Sequence, residues 1–295
     1  MRFEKWQALG NDYVIVERSE LPFELTPPRV EKLCAPHTGI GADGILLLSA
    51  PDEPGYVARL QIFNPDGSEA ELSGNGAREA ILYLRRHGRA ASDTFSIQTA
   101  AGEIRPTITS PTTASVDMGR VRLRSPNYPS GAHDGRGTLT AGGREWAFQH
   151  IEVGNPQCAI RVATGDELTK LDLPAIGPDL ERHELFPNRT NVSWFTALAP
   201  EDGSERAAGR AGSRIRARIF ERGVGETASS GTGATGAAVA HVLDGGDSPV
   251  IVALDGGELS VEVGEDLHVT LSGWAVPVMS GALADDFIKE LHATE

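Results

Sequence analysis

Cysteine is nearly absent from this chain: Cys34 and Cys158 are the only two among 295 residues. They stand far apart without a Cys-x-x-Cys spacing, which excludes a disulfide framework and a cysteine-built zinc site and leaves both as core thiols. His133, His150, His183 and His241 show no metal-ligand spacing. His241, at a helical interval among alanines, reads as a packed core histidine, and neither a metal nor a cofactor is expected. Positive charge is short as well. Lys and Arg number 27 against 41 Asp and Glu, a formal net charge of -14, and the basic residues are scattered. Nucleic acid and anionic membranes are therefore excluded as partners, and a small polar substrate is favoured. No apolar run approaches the roughly 18 residues of a spanning helix. The first residues, MRFEKWQALGND, lack the apolar core of a signal peptide, so the expected location is the cytoplasm. The Gly-rich turns are not followed by Lys-Ser or Lys-Thr, which discounts a phosphate loop. No serine sits in Gly-x-Ser-x-Gly with a matching His and acid, which discounts a serine hydrolase.

What is present is one short pattern written twice, Glu-x-x-x-Ser-Gly-x-Gly-Ala-x-x-Ala, from Glu69 to Ala80 and again from Glu226 to Ala237. Each copy reads as a polar turn feeding a helix. The apolar positions that follow have helical spacing: Ala77, Ala80, Ile81 and Leu84 in one, Ala234, Ala237, Ala238, His241 and Val242 in the other. The glycines are expected to allow a tight turn and close approach of the backbone to a ligand. Two helix N-termini offer two anion sites, so a carboxylate held by both would present its neighbouring carbon to Ser73 on one side and Ser230 on the other. The bland alternative for either copy is simple capping, in which Ser satisfies orphan N–H groups. Duplication argues for a site.

The duplication is wider than the motif. Gly10-Asn11 and Gly154-Asn155 each open an apolar run at a comparable distance upstream of their own Ser-Gly-x-Gly-Ala. Alternating stretches at Thr94–Thr99, Ala114–Met118, Ile215–Phe220, Pro249–Leu254, Leu259–Val263 and Leu267–Leu271 read as strands. Ser125–Gly143, rich in Gly, Pro and Ser, reads as a loop separating the halves, and Ala199–Ser213 as a second loop. A short helix is expected near Ala284–Leu291. The expected organisation is two domains, residues 1–120 with 274–295 and residues 121–273.

Several ordered blocks stand along the chain: Leu9-Gly-Asn-Asp-Tyr13, Gly39-Ile-Gly-Ala-Asp-Gly44, Phe63-Asn-Pro-Asp-Gly-Ser-Glu69, Gly74-Asn-Gly-Ala-Arg78, Gly154-Asn-Pro156, Asn191-Val192, Glu221-Arg-Gly-Val-Gly-Glu-Thr227 and Gly231-Thr-Gly-Ala234, and as a set they resemble the diaminopimelate epimerases. The resemblance covers essentially the whole chain. It implies an α+β fold of two pseudo-symmetric domains, each a mainly antiparallel sheet wrapped around a central helix, with the active site in the cleft between them and commonly a homodimer. It also implies cofactor-independent interconversion of LL- and meso-diaminopimelate on the route to lysine and peptidoglycan. Carried over by position, Asn11, Asn64, Asn155, Asn191, Glu221 and Arg222 would hold the substrate, with Gly74, Asn75, Gly231 and Thr232 supplying backbone donors to the reacting carboxylate. The chemistry suits a molecule with an amino-acid group at both ends, since Arg222 can grip a carboxylate bidentately while Glu221 and the asparagines accept from an ammonium. In isolation, Glu221 and Arg222 would read as a charged strand end.

The chemical groups depart from the family pattern. Where the resemblance implies Cys-Gly in both copies, this chain has Ser73 and Ser230, and the histidine after Gly-Asn-Pro is replaced by Gln157. A free cysteine thiol ionises at about pH 8.5 and is readily tuned downward at a helix N-terminus, whereas an alkoxide needs a partnered base. Glu221 is the carboxylate left to serve beside one face. Ser73, Ser230 and Glu221 are thus the candidate catalytic residues. Glu79, which follows Gly-Asn-Gly-Ala-Arg, is expected to be solvated. Three readings remain: an epimerase with altered acid–base groups, a one-base isomerase or dehydratase on the same scaffold, and a diamino-acid-binding homologue without turnover.

Overall fold

A computed structural model describes residues 1–70, 73–198 and 212–294. The chain divides into two compact units, Met1–Val116 with Gly273–Glu295, and Asp117–Ser272.

In the first unit the strands are β1 (Arg2–Ala8), β2 (Asn11–Glu17), β3 (Ile45–Ser49), β4 (Ala58–Phe63), β5 (Glu69–Ala70), β6 (Ile97–Thr99) and β7 (Gly102–Ile104). They form one sheet in the order β1-β2-β3-β4-β6-β7, with β5 on β4 and the late strand Val276–Ala282 on the outer side of β1. Helix α1 is Pro27–Cys34 and helix α2 is Gly74–Arg86. Pro at the start of α1 sits where its missing N–H costs nothing. Helix α2 packs on β1 through β4. The opposite face of the sheet is covered by Val30, Leu33 and Cys34 of α1 and by Leu291 of the last helix, against Phe3, Val14, Val16, Ile45 and Leu47. A hairpin of β8 (Pro106–Ser110) and β9 (Thr113–Arg120) follows.

The second unit contains β10 (Arg136–Ala141), β11 (Arg144–Glu152), β12 (Pro156–Arg161), β13 (Asn191–Ala197), β14 (Ser213–Glu221), β15 (Gly225–Thr227), β16 (Val250–Leu254), β17 (Gly257–Val263) and β18 (His268–Trp274). Their order is β10-β11-β12-β13-β14-β16-β17-β18, with β15 on β14. Helices α3 (Gly165–Lys170) and α4 (Leu173–Glu181) cover one face through Leu168, Leu173 and Leu180, packed on Trp146, Cys158, Ile160, Trp194 and Phe220. Helix α5 (Gly231–Leu243) lies on the other. It is apolar on nearly every side because the sheet curls around it, the pattern of a buried helix and not of an amphipathic one.

The repeat seen in the sequence is a repeat of topology. From β1 to β7 the pairings run antiparallel, parallel, antiparallel, parallel, antiparallel. From β11 through β14 to β17 they run the same way. The short strands β5 and β15 occupy matching places, as do α2 and α5.

Two readings of the sequence need correction. Arg136–Ala141, inside the expected loop Ser125–Gly143, is strand β10, paired along its length with β11 and burying Leu139 and Ala141. The motif glycines are not turn formers: the left-handed glycines lie elsewhere. Gly76 and Gly233 serve close helix packing, since a Cβ would stand 3.0 Å from Leu46 Cδ2 in the first case and 2.8 Å from Ile219 Cδ1 in the second. Among the glycines with a positive φ are Gly10 (79°) and Gly154 (80°), one residue before Asn11 and Asn155. The second loop expected from composition falls at residues 199–211 outside the described residues, and Ser213 opens β14. The expected terminal helix is α6, Asp285–Ala293.

Candidate active site

Each duplicated serine is the N-cap of its helix. Ser73 Oγ accepts from Gly76 N at 3.1 Å and Ser230 Oγ from Gly233 N at 3.2 Å, both on extended backbone. Such a cap is worth about 1 kcal/mol, so the capping role is real, and the question is what else each hydroxyl touches. The two differ. Tyr13, buried on β2, donates its phenolic hydroxyl to Ser73 Oγ at 3.2 Å. Ser230 donates instead to Glu221 Oε2 at 2.9 Å, at the end of β14, and the other carboxylate oxygen accepts from Thr227 Oγ1 at 2.8 Å. Burial pushes the Glu221 carboxyl above its ordinary value, and the two hydroxyl donors oppose that shift.

In the first unit Asn11 and Asn75 are brought together. Asn75 Nδ2 donates to Asn11 Oδ1 at 3.3 Å, Asn11 Nδ2 donates to Asp43 Oδ2 at 2.8 Å, and the buried Arg78 donates to Asn75 Oδ1. Asn64 Nδ2 donates to Ser68 Oγ at 3.0 Å within its own turn. Gly74 begins α2 directly after the cap. In the second unit Asn155 Oδ1 accepts from Gln157 Nε2 at 2.6 Å while Asn155 Nδ2 donates to Thr232 Oγ1 at 3.4 Å. Gln157, fully buried beside Gly236, thus orients Asn155 and cannot titrate. Asn191 is buried, its Oδ1 accepting from Arg222 N at 2.8 Å and its Nδ2 donating to Pro156 O at 3.2 Å. Its amide fixes the backbone that carries Arg222. The Arg222 guanidinium is exposed and donates to Asn188 O at 3.0 Å. Gly231 and Thr232 open α5, where N–H groups have no intrahelical partner.

The leading glutamate of each motif has a structural role. Glu69 accepts from Gln61 and Glu226 pairs with Arg218 at 2.6 Å, each across its small hairpin. Cys158 and His241 are packed as expected, Cys158 in the α3/α4 core and His241 edge-on to Phe195. Among the described residues no cluster of His, Cys, Asp and Glu could hold a metal ion, and no helix is long and apolar enough to cross a membrane.

Glu79 overturns its expectation. It is 0% exposed, with Arg78 beside it and the Tyr13 backbone as a hydrogen-bond donor to its carboxyl. Burial raises its pKa well above the ordinary value, opposed by the Arg78 charge and reinforced by Asp12 and Asp43. The folded protein therefore keeps a proton that the unfolded chain loses above about pH 4.3. Stability is full below that pH and falls as pH rises toward the folded pKa, by up to about 1.4 kcal/mol per pH unit. Glu79→Gln is expected to flatten this decline and raise Tm at pH 8, measured by thermal unfolding between pH 5 and 8; coincident profiles for the two proteins would contradict it.

Tyr13, Thr227 and Glu79 carried no role in the sequence reading. Tyr13 and Thr227 lie within the matching blocks, which was the available signal. Glu79 gave none.

Against known proteins, the family profile described as diaminopimelate epimerase matches residues 3–124 and 150–281. The chain is 37% identical over 294 residues to a diaminopimelate epimerase of Synechococcus sp. (strain JA-3-3Ab), covering 97% of this chain and 99% of that protein. It is also 37% identical over 291 residues to a diaminopimelate epimerase of Pelotomaculum thermopropionicum, covering 95% and 98%. Among solved structures it resembles a phenazine biosynthesis protein of the PhzF family from Bacillus anthracis, with a TM-score of 0.66 at 16% identity over 96% of this chain and 99% of that one, a likeness of fold.

Proposed function

Because the chain belongs to the diaminopimelate epimerase family and has its isomerase scaffold, we propose that it binds diaminopimelate and transfers a proton at the substrate α-carbon with one strong base, the Ser230–Glu221 pair, and one weak donor, the Tyr13–Ser73 pair. The observation that carries this is the unequal backing of the two helix-cap hydroxyls. Ser230 donates to a carboxylate at 2.9 Å, whereas Ser73 is backed by a neutral phenol at 3.2 Å. A carboxylate raised by burial is a stronger base than an ordinary one, and it can take the α-proton directly or through the Ser230 hydroxyl. The helix-end N–H groups stabilise the carbanion's carboxylate without reorganising.

One ligand draws on both helix ends in this reading, its distal carboxylate gripped by Arg222 and its ammonium groups by the asparagines. A cyclic imino acid has no second ammonium for those acceptors, which favours a diamino diacid. The reading includes a cytoplasmic homodimer serving lysine and peptidoglycan synthesis, and what supports that part is the family membership.

Incubation with LL-diaminopimelate in deuterated buffer tests it by NMR. Loss of the α-proton signal is expected to outpace formation of the meso isomer. Binding seen by calorimetry with no exchange at all would leave a binding protein and reject the base assigned here.

A further inference from the structure

The last residue of α4, Glu181, is a carboxylate only 2% exposed, and it lies outside every motif of the duplicated pattern. Burying a carboxylate is costly unless its oxygens are well paired. Its partners are informative. Oε1 accepts from Gly223 N at 2.8 Å and is ion-paired with Arg189, and Oε2 lies 3.5 Å from Arg182 Nε. Gly223 follows Arg222 in the chain, and Arg189 follows Asn188, whose carbonyl receives the Arg222 guanidinium. One carboxylate oxygen therefore holds both the turn that carries Arg222 and the loop on which the Arg222 side chain rests.

Both segments need holding. Gly223 is left-handed at φ 80° and Arg189, a non-glycine, is left-handed at φ 64°. Such backbone persists where the surroundings over-determine it. The Glu181 backbone adds a bond, its carbonyl accepting from Thr190 N at 3.0 Å. Helix α4 also reaches β14 directly: at Gly177 a Cβ would stand 2.4 Å from the Phe220 ring, so glycine lets the helix seat against the end of the strand.

We propose that Glu181 is the positioning residue for Arg222, setting where the guanidinium meets a ligand carboxylate and thereby the preference for a substrate with a second carboxylate. This rests on the function proposed above for its ligand, and its structural half stands independently. Glu181 touches no ligand. It acts by fixing the Glu221-Arg222-Gly223 turn against the Asn188-Arg189 loop.

The test has two arms on the full-length protein. Amide hydrogen exchange without ligand reads the turn itself. In Glu181→Ala, exchange at residues 222–225 is expected to rise at least about tenfold, because opening no longer breaks a bond to a charged acceptor, with α5 and β13 unchanged. Glu181→Gln, which keeps an acceptor oxygen, is expected to fall between. Unchanged exchange at 222–225 in the alanine variant, or protection lost equally throughout the unit, overturns the proposal whatever the ligand. The second arm compares LL-diaminopimelate with L-lysine, which lacks the distal carboxylate, by calorimetry. Glu181→Ala is expected to erase most of the preference for diaminopimelate while leaving the lysine affinity within about threefold, and an equal loss for both ligands overturns the positioning role. If the unaltered protein binds neither ligand, the functional reading fails and the exchange arm still decides the role of Glu181.

Discussion

Replacing both helix-cap serines with cysteine, Ser73→Cys together with Ser230→Cys, is expected to raise the rate of LL-to-meso inversion by at least about 10²-fold, the lower end of what a positioned acid–base group contributes. A thiol at a helix N-terminus is ionised near neutral pH, and its conjugate acid is a competent donor on the opposite face. A serine hydroxyl is neither. Both caps can accept the change with the fold intact, because Cys differs from Ser by one atom and its sulfur can still accept from the N–H three residues on, of Gly76 and of Gly233, while facing Tyr13 and Glu221 respectively. The single variants should differ. Ser73→Cys supplies the poorly backed face and is expected to give most of the gain in inversion, while Ser230→Cys exchanges one usable base for another. A folded double variant that binds diaminopimelate and inverts it no faster would remove the missing thiols as the limit on turnover. The readout is the isomer ratio over time by NMR, with circular dichroism to establish folding.

Glu221→Gln is expected to lower α-proton exchange by about 10²–10⁴-fold, the usual contribution of a general base, with ligand binding weakened far less. Gln retains an oxygen that can accept from Thr227 or Ser230 and has nearly the same shape, so the end of β14 should keep its geometry. What disappears is the proton acceptor. The pH dependence distinguishes this from a packing effect. Exchange requires the carboxylate form, so in the unaltered protein the rate should climb with pH through the Glu221 pKa, which burial raises above the ordinary glutamate range, and then level. The glutamine variant should lack that climb. An unaltered profile in Glu221→Gln would assign the base to another group.

The parts of this fold legible in the sequence were those set by local pattern. The helices after Ser73 and Ser230 announce themselves through capping residues and apolar spacing, and β16 through β18 through alternation between turns. What was illegible depended on the sheet around them. Glu79 lies off the apolar stripe of α2, and a helix on an open surface would leave it solvated. Here residues 75–84 are all buried, so position on the helix no longer predicts exposure. Strand β10 was hidden because Gly and Thr dominate Arg136–Ala141 and its partner β11 supplies most of the reason for its form. The glycines were legible as small residues but not in their purpose, since only the facing Leu46 and Ile219 show that they admit a strand side chain.

The site divides in the same way. Asparagines, arginine and both serines stood in recognisable blocks, while their partners did not. Nothing in the spacing of Tyr13 and Ser73, 60 residues apart, foretells the bond between them. Glu181, which holds Gly223 from 42 residues away, is one charged residue among many until the turn it braces is seen.

The asymmetry between the two hydroxyls is tested most directly by stereochemistry. The α-hydrogens of an L and a D centre point to opposite sides, so a protein with one effective base can remove only one of them. Deuterium incorporation at the reacting carbon should be followed separately from LL-diaminopimelate and from the D centre of the meso isomer, with initial rates read by NMR. The account predicts rapid incorporation from LL-diaminopimelate and little from the D centre of the meso isomer. Equal initial rates from both would contradict it.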